Sequence, residues 1–137
     1  NGPAARRMEA ILAHADGLYA IGVRRHQPVG REALARVLEG ARVMLYRGDP
    51  GETFCLALAE AQAMAVPAIV QPLGAVGERI VDGRTGRVAA TEDAFAEAAI
   101  EILRDEGLWR RWHQGALAAS RGLSWDAVAA RFEALAA

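Results

Sequence analysis

The most informative part of the sequence is residues 42–71, which read RVMLYRGDPGETFCLALAEAQAMAVPAIVQ. Two short apolar segments, 42–46 and 68–71, flank a run rich in alanine and leucine that stops before Pro67. Short apolar segments of this kind are typical of buried parallel strands, and the run between them has the length and composition of a helix. The pattern therefore predicts a strand, a helix over residues 54–65, and a second strand.

Helix and strand signals continue to alternate on both sides of this unit. Upstream, we expect a helix over residues 4–15, a strand over 18–21 and a helix over 31–39. Downstream, a strand is expected at 86–89, after a loop that contains several glycines. Alternation of helices with short apolar strands predicts an α/β fold, with a Rossmann-like parallel sheet and flanking helices.

Three helices are expected after residue 90, and they form a helical C-terminal tail. Thr91 and Ser124 are placed to cap the first and the last of them. In the first, Ile100 and Leu103 are expected to face inward. The last carries an apolar stripe of Trp125, Val128, Ala129, Phe132 and Leu135. Because no internal repeat or linker is visible, we expect residues 1–137 to form a single domain.

The composition is that of an ordinary globular protein, with 53% apolar and 24% charged residues. A net charge of −1 gives no reason to expect a nucleic-acid partner. All 16 basic residues are arginines, so no lysine-dependent step can be completed by this chain alone. The most apolar stretches are interrupted by polar residues and no signal peptide is visible, which makes a cytoplasmic location the expectation.

Metal and disulfide chemistry are not expected from the cysteine and histidine content. Cys55 is the only cysteine, so no disulfide framework or cysteine metal cluster can form within the chain. His14, His26 and His113 are scattered without the spacing of metal ligands.

The predicted ligand site lies at the carboxyl ends of the strands, where open α/β sheets bind their ligands. Three loops meet that description, at residues 22–30, 47–53 and 72–77. The second leads directly into a helix N-terminus. Unpaired backbone amides and roughly half a positive charge favour a phosphate at such a position.

Two carboxylates accompany this helix start. Glu52 lies beside it, where it could accept hydrogen bonds from sugar hydroxyls or stabilise positive charge at an anomeric carbon. Glu60 lies about two turns further along and suits a vicinal diol such as a ribose. Both residues also have simpler interpretations, since a carboxylate stabilises a helix start without any ligand and a helical glutamate can simply be solvated.

Several motifs together resemble those of a known family. The run from Glu52-Thr53-Phe54 to Glu60-Ala61, continued by Met64-Ala65-Val66-Pro67, resembles the donor-binding motif of retaining glycosyltransferases of the GT-B fold, glycosyltransferase family 4. Residues 78–86, ERIVDGRTG, are similar to the family's E-x-v-x-d-G-x-T-G. Residues 1–3, 21–22, 41–43 and 124–125 match further family motifs in the same order, so the resemblance covers nearly the whole chain.

The resemblance implies roles for individual residues. In such enzymes the first glutamate, here Glu52, contacts the sugar or phosphate of the donor and takes part in catalysis. The second, here Glu60, binds the nucleotide ribose. The donor-binding segment that also holds the diphosphate comprises Thr53, Phe54, Cys55 and Leu56. The nucleotide base is expected near Gly22 and Arg24.

The resemblance also implies a reaction. The donor is a nucleotide-diphosphate sugar, the sugar is transferred with retention through an oxocarbenium-like transition state, and neither a metal nor a separate cofactor takes part. The acceptor is a sugar, a lipid or a small molecule.

Two departures from the family pattern matter. Cys55 stands where the family has a small glycine. The family's N-terminal acceptor domain and the Arg- and Lys-bearing element that opens its donor domain are missing. We therefore interpret the chain as the latter part of a C-terminal donor-binding domain, inactive alone. Membrane association, peripheral to the inner membrane, is expected only through the missing part.

Two alternative functions stay open from the sequence. The chain could belong to a non-catalytic binding or assembly module that kept the GT-B fold, or to an enzyme similar to nucleotide-sugar epimerases. A Gly-rich strand and loop with Arg and Lys upstream of this chain would favour the transferase over the first alternative. Product analysis with a labelled donor would separate transfer from epimerisation.

Overall fold

The computed structural model describes residues 2–122 and 124–136, without the side chains of Trp125 and Ala136. The apolar stripe predicted to include Trp125 is therefore described only in its other members. The chain divides into two compact units, Asn1–Ala33 and Leu34–Ala137, and each is described by itself. The expectation of a single domain stays a prediction.

The first unit is helical. Helix α1 spans Pro3–Gly17, with the proline in its first turn, where its missing N–H leaves no hydrogen bond unmade. A 3₁₀ helix, Tyr19–Ile21, follows it, so the strand predicted at residues 18–21 is wrong. Gly22 adopts φ 103° and its N–H bonds the carbonyl of Tyr19 at 3.1 Å, which closes the apolar run into a turn.

The remaining elements follow the predicted alternation. In chain order they are α2 (Arg31–Glu39), β1 (Met44–Tyr46), α3 (Leu56–Ala63), β2 (Ala68–Val70), a second 3₁₀ helix (Gly74–Arg79), β3 (Gly86–Val88), α4 (Glu92–Arg104), α5 (Glu106–Ser120) and α6 (Trp125–Ala136). Three strands form one parallel sheet in the order β1-β2-β3, with Met44 opposite Ala68 and Ala68 opposite Gly86. The predicted α/β class, a Rossmann-like parallel sheet with flanking helices and a helical tail, is confirmed.

Each face of the sheet carries its own apolar core. On one face, which we call the α3 side, Ala68 and Val70 of β2 pack with Leu58 of α3. On the other face, which we call the α4 side, Ile69 packs with Ile102 of α4 and Trp112 of α5. Successive side chains of a strand point to opposite faces, so the residues of β2 divide between the two cores.

Two glycines allow backbones to approach closely. A methyl group on Gly86 of β3 would overlap the backbone of Ala68 in β2. A methyl group on Gly115 of α5 would overlap the backbone carbonyl of Arg84, in the turn before β3. Glycine at these positions therefore lets β3 lie close to β2, and α5 lie close to the turn before β3.

The tail helices confirm the predicted caps but not all of the predicted buried residues. Thr91 accepts the N–H of Ala94 at 3.2 Å, and Ser124 accepts that of Ala127 at 3.1 Å. Ile100 and Leu103 were predicted to face inward but are exposed, because Ala98, Ala99 and Ile102 occupy the buried face of α4. Small alanines let α4 approach the sheet, and successive residues are about 100° apart around a helix.

The stripe predicted on α6 is largely exposed. Phe132 is 69% and Leu135 85% accessible to solvent, so these two members of the stripe do not pack into the described core. Across the described residues, no helix is both long enough and apolar enough to span a membrane.

Candidate functional site

The loop that joins β1 to α3 lies against the loop that follows β2. The N–H of Gly51 bonds the Asp49 carboxylate at 2.8 Å, which tightens the turn. Ala75 donates its N–H to the carbonyl of Glu52 at 2.8 Å, and Gly74, at φ 58°, packs directly on the backbone of Asp49 and Glu52. Two of the three loops predicted to form the site therefore meet, and their contact fixes the backbone of Glu52.

The side chain of Glu52 is held by two hydrogen bonds. Its Oε1 accepts the N–H of Cys55 at 3.0 Å, and its Oε2 accepts the hydroxyl of Tyr46 at 3.0 Å. An ionised carboxylate offers about four lone-pair positions, so a ligand hydroxyl can still bind. The carboxylate is consequently oriented at the carboxyl end of β1 and open to a ligand.

These hydrogen bonds shift the ionisation of both partners. The N–H of Cys55, and then the Tyr46 hydroxyl, hold the pKa of Glu52 below its ordinary value. The same hydrogen bond to Glu52, with burial, raises the pKa of Tyr46 to about 12. Glu52 is therefore ionised at neutral pH and suited to stabilise positive charge, not to donate a proton.

We expect the free energy of unfolding of the Tyr46→Phe variant to depend less on pH above pH 10 than that of the wild-type protein. Because the pKa of Tyr46 in the folded state is about 12 against an ordinary value of 10.0, its contribution to stability is complete below pH 10 and is lost as pH rises towards 12. Urea unfolding at pH 7, 10, 11 and 12 should show the variant less stable at pH 7 and less sensitive to pH above 10. Equal slopes for both proteins would contradict the shift, and Tyr19→Phe, at an exposed tyrosine, is the control.

Cys55 sets the start of α3, which begins at Leu56 and not at the predicted residue 54. It adopts φ 58°, a left-handed conformation that glycine enters far more easily, and its side chain is buried. This conformation gives a physical reason for the glycine at this position in the family that the sequence resembles.

The first turn of α3 is open to a ligand. Cys55, at the N-cap, makes no capping bond with its side chain, and no described side chain accepts from the amides of the exposed residues Leu56 and Ala57. Such amides carry partial positive charge and need a partner. They are available to an anion beside Glu52.

Arg79 fixes the residue that precedes Cys55. Its guanidinium lies 3.6 Å from the ring centroid of Phe54, and its Nε donates to the Phe54 carbonyl at 2.8 Å. The buried amide of Gln62, in α3, donates to the Arg79 carbonyl at 2.7 Å. The 3₁₀ helix after β2 is thus tied to both the start and the interior of α3.

Glu60 lies on α3, four residues after Leu56, and is half-buried. Within the described part of the chain its carboxylate makes no hydrogen bond or ion pair. The interpretation of Glu60 as a simply solvated residue is weakened by this partial burial, and its role in ligand binding stays a prediction. Thr53, in the loop that joins β1 to α3, is exposed.

Gly22 and Arg24 belong to the first unit and are described within it. Arg24 folds back on its own loop, with its guanidinium 3.8 Å from the Tyr19 ring centroid and Nη1 donating to the Tyr19 carbonyl at 2.7 Å. The neighbouring Arg25 pairs with Asp16 at 2.8 Å. Both arginines therefore have local structural roles, and a role of Gly22 and Arg24 beside a nucleotide base stays a prediction.

The roles of three residues of this site were not predicted from the sequence. They are Tyr46, Gln62 and Arg79. Tyr46 ends an apolar strand and looked like another buried residue, although a tyrosine at a carboxyl end can offer its hydroxyl to a neighbouring loop. Gln62 and Arg79 gave no local signal, because their contacts join residues 17 and 25 positions apart.

An oriented, ionised carboxylate beside an open helix start, at the carboxyl edge of a parallel sheet, is an arrangement suited to anionic, hydroxyl-bearing ligands. The comparison with known proteins is more specific. The chain belongs to the glycosyl transferases group 1 family, whose profile matches residues 1–105.

Named relatives agree with this family. The chain is 36% identical over 129 residues to a D-inositol 3-phosphate glycosyltransferase of Xylanimonas cellulosilytica, a match covering 93% of the chain and 30% of that protein. It is 31% identical over 99 residues to a phosphatidyl-myo-inositol mannosyltransferase of Mycobacterium leprae, covering 71% of the chain and 26% of that protein.

A solved structure shows the same fold. A sucrose-phosphate synthase from Thermosynechococcus elongatus superposes with a TM-score of 0.74 and 25% identity, over 98% of this chain and 34% of that one. The chain therefore spans about a third or less of the proteins that it resembles.

Among the described residues, no three His, Cys, Asp or Glu side chains are grouped to hold a metal ion.

Proposed function

We propose that the protein to which this chain belongs transfers a sugar from a nucleotide-diphosphate sugar to an acceptor, with retention of the anomeric configuration, as in glycosyltransferase family 4. This chain supplies part of the donor site. The observation that carries the proposal is the ionised carboxylate of Glu52, oriented by Tyr46 and Cys55 beside the open first turn of α3.

Each part of the donor has a counterpart in the site. The unbonded amides of Leu56 and Ala57, which follow Thr53, Phe54 and Cys55 in the donor-binding segment, receive the diphosphate. The carboxylate of Glu52 stands beside the sugar and stabilises the positive charge that develops at its anomeric carbon. Glu60 accepts from the two ribose hydroxyls.

The rest of the reaction is assigned to the protein beyond this chain. The acceptor, whether a sugar, a lipid or a small molecule, binds to a separate N-terminal domain, and any membrane association lies there too. The chain alone is inactive in this proposal, and it uses neither a metal nor a cofactor besides the donor. Support comes from its relatives, of which it spans about a third or less.

Two alternatives are less well supported. A non-catalytic assembly module and an epimerase-like enzyme both fit an α/β fold. The matched family, however, is one of glycosyl transferases, and the two named relatives are a glycosyltransferase and a mannosyltransferase. We therefore favour transfer over either.

The proposal is tested on the full-length protein with uridine, guanosine and adenosine diphosphosugars. One of the three should raise the melting temperature and be consumed in the presence of acceptor extracts. NMR of the product should show the anomeric configuration of the donor. No shift with any donor would contradict nucleotide-sugar binding, and an inverted product would contradict retention alone.

We expect the Glu60→Gln variant of the full-length protein to bind the nucleoside diphosphate product of that donor roughly ten- to a hundred-fold more weakly, as for loss of a charged hydrogen bond. Calorimetry should also show that the variant no longer distinguishes the ribonucleotide from its 2′-deoxy form, because only a diol needs the carboxylate. Glu133→Gln, at an exposed position of α6, is the matched control. A variant that keeps the wild-type preference would show that Glu60 does not bind the ribose.

A further inference from the structure

A second recess lies at the carboxyl edge of the sheet, on the α4 side. It is a cavity of about 250 Å³ lined by Arg47, Gln71, Glu92 and Phe95. Arg47 directly follows β1 and Gln71 directly follows β2. Phe95, on α4, packs against the α4-side core. Tyr46, which binds Glu52, packs instead on the α3 side, so the cavity is separate from the site around Glu52.

Gln71 is the unusual member of this lining. Ile69 packs on the α4 side, and the alternation of the strand directs Gln71, two residues later, to the same side. The residue is only 8% exposed. No hydrogen bond joins its side-chain amide to another described residue, and the atoms of that amide reach the solvent in the cavity. An amide that lines a cavity and bonds no other side chain can both donate to and accept from a ligand that enters there.

Two side chains of opposite charge lie at the mouth of the cavity. Arg47 Nη2 and Glu92 Oε1 are 3.1 Å apart, and both side chains are mostly exposed. Because the two charges neutralise each other, a strongly charged ligand gains little here. A neutral ligand with several hydroxyls can instead accept from the guanidinium and donate to the carboxylate.

We propose that this cavity binds the ring of a neutral polyhydroxylated molecule, a single monosaccharide unit. One pair of hydroxyls bonds the amide of Gln71, which both donates and accepts. Others reach the Arg47–Glu92 pair, while the apolar face of the ring packs against Phe95.

The size of the cavity agrees with one ring. Pockets for drug-sized ligands measure roughly 300–1,000 Å³, and this cavity, at about 250 Å³, falls just below that range. A whole nucleotide is therefore too large. The inference does not depend on the proposed donor site, since it rests on other residues and on the opposite face of the sheet.

The test is a titration of the full-length protein, ¹⁵N-labelled at its glutamine side chains, with glucose, galactose and mannose, followed by NMR. Glutamine side-chain amides give separate signals, and the signal of Gln71 is assigned by its loss in the Gln71→Leu variant. At least one sugar at millimolar concentration should shift the Gln71 amide saturably. The amide of Gln62, already bonded to Arg79, should not move.

The Gln71→Leu variant separates binding from structure. Leucine removes an amide that bonds no other described residue and has a similar volume, so we expect a nearly unchanged melting temperature together with at least about tenfold weaker sugar binding. Glu92→Gln removes the negative charge that neutralises Arg47 and should weaken sugar binding severalfold. Gln114→Leu, at an exposed position of α5, should leave sugar binding unchanged.

Three outcomes would overturn the inference. The first is the absence of any saturable shift of Gln71 with the three sugars. The second is a loss of stability in Gln71→Leu with sugar binding intact, which would mean a structural role. The third is binding of uracil or inorganic phosphate in preference to the sugars. In the full-length protein, Gln71→Leu should leave nucleoside diphosphate affinity unchanged, so this test fails or succeeds separately from that of the donor site.

Discussion

Replacing Gly115 by alanine is expected to destabilise the chain by about 3 kcal/mol, at the upper end of the cost of overpacking. Alanine is the better helix former by roughly 1 kcal/mol, so propensity alone predicts a gain. The methyl group would, however, overlap the backbone carbonyl of Arg84, and a backbone cannot rotate aside as a flexible side chain can. The free-energy cost of this overlap should therefore exceed the free-energy gain from the higher helix propensity of alanine.

Thermal and urea unfolding of the chain measure this effect. A melting temperature about 10 °C lower is expected for a change of that size. Gly122→Ala is the matched control, because a methyl group there meets no described atom within 4 Å and should change the melting temperature little. If Gly115→Ala were as stable as that control, the close contact between α5 and the turn before β3 would be absent in solution.

Replacing Glu52 by glutamine in the full-length protein is expected to lower kcat by roughly a hundred- to a thousand-fold, the usual cost of removing one group that stabilises transition-state charge. Glutamine has the same shape and can still accept the N–H of Cys55 and bond the Tyr46 hydroxyl, so the loop should keep its conformation. The variant lacks the negative charge, which matters most when positive charge develops at the anomeric carbon.

The donor that stabilises the wild-type protein is the substrate for this measurement. Because the ground state carries little of that positive charge, kcat should fall much further than donor affinity. Glu97→Gln, on the exposed surface of α4, is the control. Wild-type turnover in Glu52→Gln would show that Glu52 is a structural cap only, since its bonds to the loop explain its position without any ligand.

The sequence predicted the three strands and the helices between them because each strand is a short apolar run bounded by glycine or proline. Residues 18–21 form an equally short apolar run, but they fold as a 3₁₀ helix. Periodicity cannot separate a strand from a helical turn over so few residues, and here the left-handed Gly22 and the contact between Arg24 and Tyr19 favour the turn.

The candidate site was predictable as far as its residues act locally. Glu52 and the start of α3 are neighbours in sequence, so their proximity could be read from spacing. The partners of Glu52 and Phe54 could not be predicted in this way, because Tyr46 and Arg79 reach them only through the packing of separate segments. Gln71 is similar, since a polar residue after a strand predicts an exposed loop position and not a side chain that is mostly buried and lines a cavity.

Cys55 has a practical consequence for chemical labelling. It is the only thiol of a chain that also contains no lysine, so maleimides have one side chain to modify and amine reagents have none. The thiol is enclosed beneath the segment that starts α3. The rate of its alkylation therefore reports how often that segment opens, and it measures motion at the proposed donor site.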